Sequence, residues 1–280
     1  MKKISLFKFN NSYITNIDFI KNLEKIKAYD CKVLYIHSEI NFGIPNPKLE
    51  KKKILEILFQ CITEMAVPTL CIPTYTFSFC NKEIFDVQKS VSKMGILSEF
   101  IRKKRKGIRT IDPLLSVCIY GENKGLARDL GKDSIGFNSH FDKIHNSQNV
   151  KFLFFGPTVG SCFTYMHYIE KLLEVPYRYD REFKGLIINN KKKCHDKYNL
   201  FVRYNGVNVG NGSFIYEENM FKKKISQRKK IANGRLTSVN KDDAYQYFMD
   251  LYNKNNKIFF RSKRNSFNDK TFFFKNILTL

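Results

Sequence analysis

Acidic side chains are scarce in this 280-residue chain: 26 Asp and Glu stand against 49 Lys and Arg, a net charge of +23. No Asp-rich cluster of the kind that holds hard cations appears, and there is no HExxH. Seven cysteines are scattered without a CxxC or paired spacing, an odd, dispersed set that fits reduced thiols in a cytoplasm better than a disulfide framework. Cys194 and His195 are adjacent but lack a second pair to complete a zinc site, so no metal is expected. No apolar run approaches the roughly 18 residues that a membrane-spanning helix needs, so no membrane insertion is expected. The N-terminus lacks a sustained apolar stretch and a small-residue cleavage site, so it does not read as a secretory signal. There is no GxGxxG after a strand, no GxxxxGK[ST] and no GxSxG, which argues against a Rossmann site, a P-loop and an α/β-hydrolase elbow.

What is present is a chain with enough apolar residues, 43%, for a substantial core. Its basic residues cluster at 103–106, 191–193 and 222–230. Two readings of the charge stand side by side: an anionic partner, or the Lys-, Asn-, Ile- and Phe-rich composition of a strongly AT-biased genome. Most aromatics fall in apolar runs such as Phe152, Phe154 and Phe155, and do not alternate with basic residues as base-stacking platforms do. No nucleic-acid partner is expected. A homodimer is compatible with the sequence.

Short apolar runs at 32–38, 69–77, 114–121 and 150–156 read as buried strands. Helical spacing predicts helices from about Pro47 to Glu64, over 95–104, briefly over 123–130, and after Gly156-Pro157. This alternation predicts an α/β fold, a central mixed sheet flanked by helices. Beyond Pro176 the texture changes. Two Asn-Gly pairs at 203–214 signal a hairpin or turn, basic helices are expected near 217–231 and 241–253, and an edge strand plus tail over the last thirty residues. The chain is expected to be one domain. Residues 1–179 would form its core, completed by a basic part, 180–280.

His167 and Glu170 are three residues apart on a predicted helix, hence on one face. On spacing alone such a pair is most often an ordinary surface pair. Its place after a buried strand and a Gly-Pro break points it to a ligand-facing edge. There a carboxylate can fix the tautomer of an imidazole that takes a proton. Other polar residues also fall at strand ends, where α/β folds gather ligands: His37 and Ser38, Thr74 and Thr76, Ser116, and Thr164.

The order of HSEINFG (37–43), IPTYTF (72–77), SKMGILSEFIRK (92–103), RTIDPLLSVCIYG (109–121), GFNSHFDKI (136–144), GPTVGSCFTYMHYIE (156–170) and PYRY (176–179) resembles the aminoglycoside 3-N-acetyltransferase family. The resemblance implies an α/β acyl-CoA-dependent N-acyltransferase, unlike the commoner acetyltransferase fold, with acetyl-CoA or another acyl-CoA as co-substrate. It implies His167 as general base, with Glu170 orienting it. It also implies that His37, Ser38, Thr74 and Thr76 line the acyl-CoA channel, with Ser116 and Thr164 near the thioester. Asp112 and Tyr177 are the candidate acceptor contacts. The sequence departs from the family at Asp112-Pro113, where His-Pro is usual, and at His140, where Pro is common.

The family covers antibiotic-modifying enzymes and relatives that acylate nucleotide-linked amino sugars. Aminoglycosides are polycations, whereas a nucleotide-linked sugar carries a pyrophosphate. The charge therefore favours the nucleotide-linked amino sugar as the small-molecule acceptor, for surface glycan synthesis, with the aminoglycoside as alternative. A non-catalytic basic binding protein is a further alternative. Direct transfer is expected, with Cys162 a small buried filler rather than a covalent carrier.

Overall fold

The computed structural model describes residues 2–104, 106–205 and 213–255. Along these the strands are β1 (Ser5–Phe9), β2 (Ser12–Thr15), β3 (Val33–Ser38), β4 (Ile44–Pro45), β5 (Thr69–Pro73), β6 (Phe85–Asp86), β7 (Ile108–Arg109), β8 (Val117–Gly121), β9 (Val150–Gly156), β10 (Arg178–Asn189), β11 (Lys192–Arg203), β12 (Ser226–Ile231) and β13 (Gly234–Asn240). The α-helices are α1 (Asn16–Lys25), α2 (Lys51–Thr63), α3 (Ile96–Lys103), α4 (His140–Asn146), α5 (Val159–Cys162), α6 (Tyr165–Leu172), α7 (Ser213–Lys222) and α8 (Lys241–Lys254).

Seven strands form the main sheet in the order β12-β13-β9-β3-β5-β8-β7. The central strand β3 pairs in parallel with both β5 and β9, and the outer pairings are antiparallel, so the sheet is mixed. Every residue of VLYIHS in β3 is buried except Ser38, which is intermediate, as expected of a strand covered on both faces. Alternate residues then feed two cores. Val33 and Tyr35 join Phe152 and Phe154 on one face, and Leu34 and Ile36 join Leu153 and Phe155 on the other.

The structure corrects several local expectations. The helix expected from Pro47 begins at Lys51, because Asn46 first closes a turn: its side chain accepts the Lys48 N–H at 3.1 Å and its carbonyl accepts the Leu49 N–H. The short helix near 123–130 is a single 3₁₀ turn, Lys124–Ala127. The basic helix expected over 217–231 is α7 followed by β12. Lys224 turns left-handed (φ 60°) and Ile225 N–H bonds back to Met220, which closes the helix before the strand starts. The expected helix near 241–253 is present as α8, capped by Asn240, whose side chain accepts the N–H groups of Asp242 and Asp243.

The largest departure is the hairpin of β10 and β11, paired in register from Arg178↔Arg203 to Asn189↔Lys192. Its two-residue loop, Asn190-Lys191, has positive φ at both positions (48° and 68°), as a type I′ turn requires. The hairpin signal read at 203–214 falls mostly on residues 206–212, and the edge strand and tail on 256–280; both lie outside the described residues. The last described strands, β12 and β13, complete the main sheet beside β9, so residues beyond 180 are part of the sheet that carries the site.

Candidate active site

The site is assembled by a chain reversal. At its end β9 passes so close to β3 that a Cβ on Gly156 would stand 1.8 Å from the Glu39 carbonyl oxygen, and Gly156 has φ +112°. Only glycine fits there. The chain then runs through α5 into α6, which buries Tyr165, Met166, Tyr168, Ile169 and Glu170. Glu174 is left-handed (φ 48°) and Val175 N–H bonds back to the Glu170 carbonyl at 3.2 Å. That closure turns residues 176–178 back along the helix, bringing Tyr177 and Arg178 against Glu170.

His167 Nδ1 lies 2.7 Å from Glu170 Oε2, and the Tyr177 hydroxyl donates to Glu170 Oε1 at 2.9 Å. Arg178 completes the group. Its Nε stands 2.8 Å from Glu170 Oε2, an ion pair rather than an aligned hydrogen bond. Its Nη1 donates to the Phe201 carbonyl at 3.1 Å, and its Nη2 stands 3.0 Å from His167 Nδ1. Burial opposes the charge on Glu170, but Arg178, together with the bonds from His167 and Tyr177, overcomes it and holds the carboxyl down at about 2. Burial, and then the Arg178 charge, lower the His167 pKa against the pull of Glu170, so the ring is neutral at pH 7. An ionised Glu170 can only accept and the Arg178 guanidinium can only donate, so the two compete for Nδ1; the shorter contact, 2.7 Å against 3.0 Å, favours the proton on Nδ1, directed to the carboxylate. The lone pair then sits on Nε2, on a side chain that is still 20% exposed.

The other predicted residues fall at the same ends of the sheet but in different settings. His37 is buried, stacked on Phe154 at 5.3 Å, and its Nε2 has no hydrogen-bond partner among the described residues; burial lowers its pKa to about 3. Ser38 follows it at the end of β3, half-buried. The Thr164 hydroxyl donates to the Cys162 carbonyl at 3.3 Å, and the Tyr75 hydroxyl meets that of Tyr35 at 2.7 Å. Thr74 and Ser116 are committed to a buried guanidinium: Arg109 Nε donates to both hydroxyls at 3.2 Å, Nη2 to the Thr74 carbonyl, and Nη1 to the carbonyls of Val87 and Ser90. Thr76 donates to the Pro113 carbonyl. Asp112 is buried, and its Oδ1 accepts from the N–H groups of Leu114 and Leu115 and from the Ser134 hydroxyl, so it fixes the turn into β8. Burial raises its pKa. His140 is also buried, with Nδ1 3.0 Å from the Leu126 carbonyl.

Cys162 is half-buried and donates to the Thr158 carbonyl at 3.6 Å; burial pushes its thiol up to about 12. Sequence reasoning missed Arg178, although it lies within the quoted PYRY segment. The signal was available in physical form: a carboxylate destined for burial requires a cation.

An imidazole oriented by a buried carboxylate, at the strand ends of a mixed sheet, is chemically able to take up a proton. The model of the family described as aminoglycoside 3-N-acetyltransferase matches residues 53–253, and the chain belongs to that family of N-acetyltransferases. Among solved structures, it is similar to the aminoglycoside acetyltransferase AAC(3)-IVa apoenzyme, with a TM-score of 0.70, 17% identity, and coverage of 89% of this chain and 92% of that one. AAC-IIIb in its binary complex with CoASH gives 0.70 and 14%, covering 86% and 97%. The YokD protein from Bacillus subtilis gives 0.70 and 13%, covering 87% and 94%. At such identities these likenesses establish the fold. No curated protein sequence matches the chain significantly. Among the described residues no helix is long and apolar enough to cross a membrane.

Proposed function

We propose that this protein transfers an acyl group from acyl-CoA directly to the amine of an amino sugar, with His167 as general base and an aminoglycoside as the leading acceptor. The observation that carries this reading is the 2.7 Å contact of His167 Nδ1 with the buried Glu170 carboxylate, which leaves Nε2 free to accept a proton. The acceptor amine, in its neutral form, attacks the thioester carbonyl. Its proton passes to Nε2 as the C–N bond forms, Glu170 stabilises the resulting imidazolium, and the C–S bond then breaks as the imidazolium returns the proton to the departing sulfur, so that CoA leaves as the thiol and His167 is neutral again. The high thiol pKa of Cys162 disfavours a covalent relay, which supports direct transfer.

We assign the acyl-CoA channel to the ends of β3 and β5 and the start of α6. His37, Ser38 and Thr164 line it, and Thr74, Thr76 and Ser116 hold the strand ends behind it. The unpartnered, buried Nε2 of His37 suits a ligand polar group. Asp112 shapes the loop on the acceptor side, and Tyr177 positions Glu170. The unpaired thiols suit a reducing cytoplasm, where acyl-CoA is available.

A second acceptor, a nucleotide-linked amino sugar, is favoured by the net charge of +23. Family membership favours the aminoglycoside. The deciding experiment mixes acetyl-CoA with gentamicin, sisomicin and a panel of nucleotide-linked amino sugars and follows free thiol. Turnover with the aminoglycosides supports the leading reading, and turnover with the nucleotide sugars alone replaces it with the second. Absence of thiol release from every amine rejects acyl transfer.

A further inference from the structure

Arg203 occupies the last position of β11, directly opposite Arg178. Cross-strand partners in an antiparallel pair lie about 4.5–5.5 Å apart and project from the same face. Arg178 projects onto His167 and Glu170, so Arg203 shares the face that meets the base. The two arginines are set differently. Arg178 is buried and held by Glu170 and the Phe201 carbonyl. Arg203 is half-buried, and its guanidinium has no hydrogen-bond or ion-pair partner among the described residues.

Like charges directly opposite one another destabilise a strand pair, and a partly desolvated cation without a partner adds a cost of its own. Both appear in the lowered pKa of Arg203, which burial and then Arg178 depress, with Glu170 giving only partial relief. Glu170 is already taken by His167, Tyr177 and Arg178. An arginine left open beside a proton-accepting histidine is set to receive an anion from outside the protein, and its planar fork suits phosphate or carboxylate oxygens.

We propose that Arg203 is an anion-binding residue on the acceptor side, taking a phosphate or carboxylate group carried by the amine substrate. This rests on the acyl-transfer reading of the site and, within it, favours the second acceptor, the nucleotide-linked amino sugar, over the aminoglycoside. An acceptor whose only charges are ammonium groups would meet repulsion at this position. The phosphates of CoA lie a full pantetheine arm away from the thioester that must meet the base, which leaves the acceptor as the source of the anion.

The test is calorimetric binding of glucosamine, its phosphate ester, its UDP conjugate and CoA to the wild-type protein, Arg203→Gln and Arg203→Lys. The wild type is expected to bind at least one phosphate-bearing amine about tenfold or more tighter than glucosamine, the range of a charge-assisted hydrogen bond. Arg203→Gln is expected to erase that preference while holding CoA affinity within about twofold, and Arg203→Lys to retain part of it. Lack of a preference in the wild type overturns the proposal, as does a preference that survives in Arg203→Gln. Equal weakening of CoA and the phosphorylated amines assigns Arg203 to CoA instead. A fall in kcat with unchanged binding assigns it to the developing oxyanion. Should Arg203→Gln not fold, the wild-type preference and the Lys variant still decide. Binding needs no turnover, so a protein that prefers phosphorylated amines yet releases no thiol loses the acyl-transfer reading and keeps the anion site.

Discussion

Arg178 Nε lies 2.8 Å from Glu170 Oε2, so the carboxylate that orients His167 is neutralised at that same oxygen by a buried guanidinium. The same arginine places Nη2 3.0 Å from His167 Nδ1. It therefore acts on the base twice: it keeps Glu170 ionised and adds a positive charge beside the ring. Removing that charge should raise the His167 pKa. In Arg178→Gln, the acid limb of kcat/KM is expected to move to higher pH, and the His167 imidazole resonances of labelled protein to titrate earlier than in the wild type as the sample is acidified. In the wild type that limb should lie below about pH 6.5, the ordinary histidine value. Titration of His167 at the same pH in both proteins would remove Arg178 from the tuning of the base.

Replacement of His167 by Ala removes the proton acceptor but no part of the strand-end channel. The expected result is a kcat lower by about 10²–10⁴, with the Kd of CoA nearly intact. Wild-type kcat in this variant would show that the proton goes elsewhere.

Glu170 links the site to acid stability. Its carboxyl is held at about 2, against an ordinary 4.5. A carboxylate with a depressed native pKa contributes stability above its unfolded pKa, and loses it as pH falls through the native value. The window is thus between about pH 4.5 and pH 2, and the contribution is on the order of 3 kcal/mol. The lowered pKa of His167 acts in the same direction, since protonation favours the unfolded chain as pH drops below the ordinary histidine value. Glu170→Gln should flatten this acid dependence. It should also cost about 3–5 kcal/mol at neutral pH, because Arg178 is left buried without its counter-charge. Urea denaturation at a series of pH values measures both.

Cys162 offers a check on the route. With its thiol pushed up to about 12 by burial, almost none is thiolate at neutral pH. Cys162→Ala should keep kcat within a few-fold, and initial-rate plots against the two substrates should intersect. Parallel lines, or loss of turnover in this variant, would point to an acyl-thiol relay.

The sequence made four inner strands of the main sheet, β9, β3, β5 and β8, legible because they are near-continuous apolar runs, as in VLYIHS and VKFLFF, whereas the edge strand β12, SQRKKI, is too polar and basic to read as one. It made the His167–Glu170 face legible because helical spacing fixes which side chains meet. The hairpin of β10 and β11 was hidden for a physical reason. Much of it is exposed and lysine-rich, without a clean alternation, and its turn is Asn-Lys rather than Asn-Gly. Arg178 and Arg203 lie on that hairpin, so the cationic half of the site stayed hidden with it. Similarly, Thr74 and Ser116 were readable as strand-end hydroxyls, but their bonds to Arg109 depend on a pairing between β7 and β8 that only the fold supplies.

The turn itself is open to test. Lys191 carries φ 68° in a position that glycine fills without cost. Lys191→Gly should relieve that strain and stabilise the protein by about 0.5–1 kcal/mol, partly offset by the greater freedom of glycine in the unfolded chain. For a protein of this size the change is a rise in Tm of about 2 °C. Lys191 is exposed and lies in the turn, twelve residues along the chain from Arg203 and beyond the last register pair, Asn189↔Lys192. The register of those arginines is nevertheless set from this turn, because a slip by one residue would move every side chain of β11 to the opposite face. Inserting one residue between Asn190 and Lys191 should therefore disturb the site at the far end of the hairpin, whereas Lys191→Gly should not. Thermal denaturation, read beside the binding of CoA and of a phosphorylated amine, separates the two: the substitution raises Tm and keeps both affinities, and the insertion weakens the amine. If the insertion left amine binding intact, the hairpin register would not be what places Arg203 beside the base.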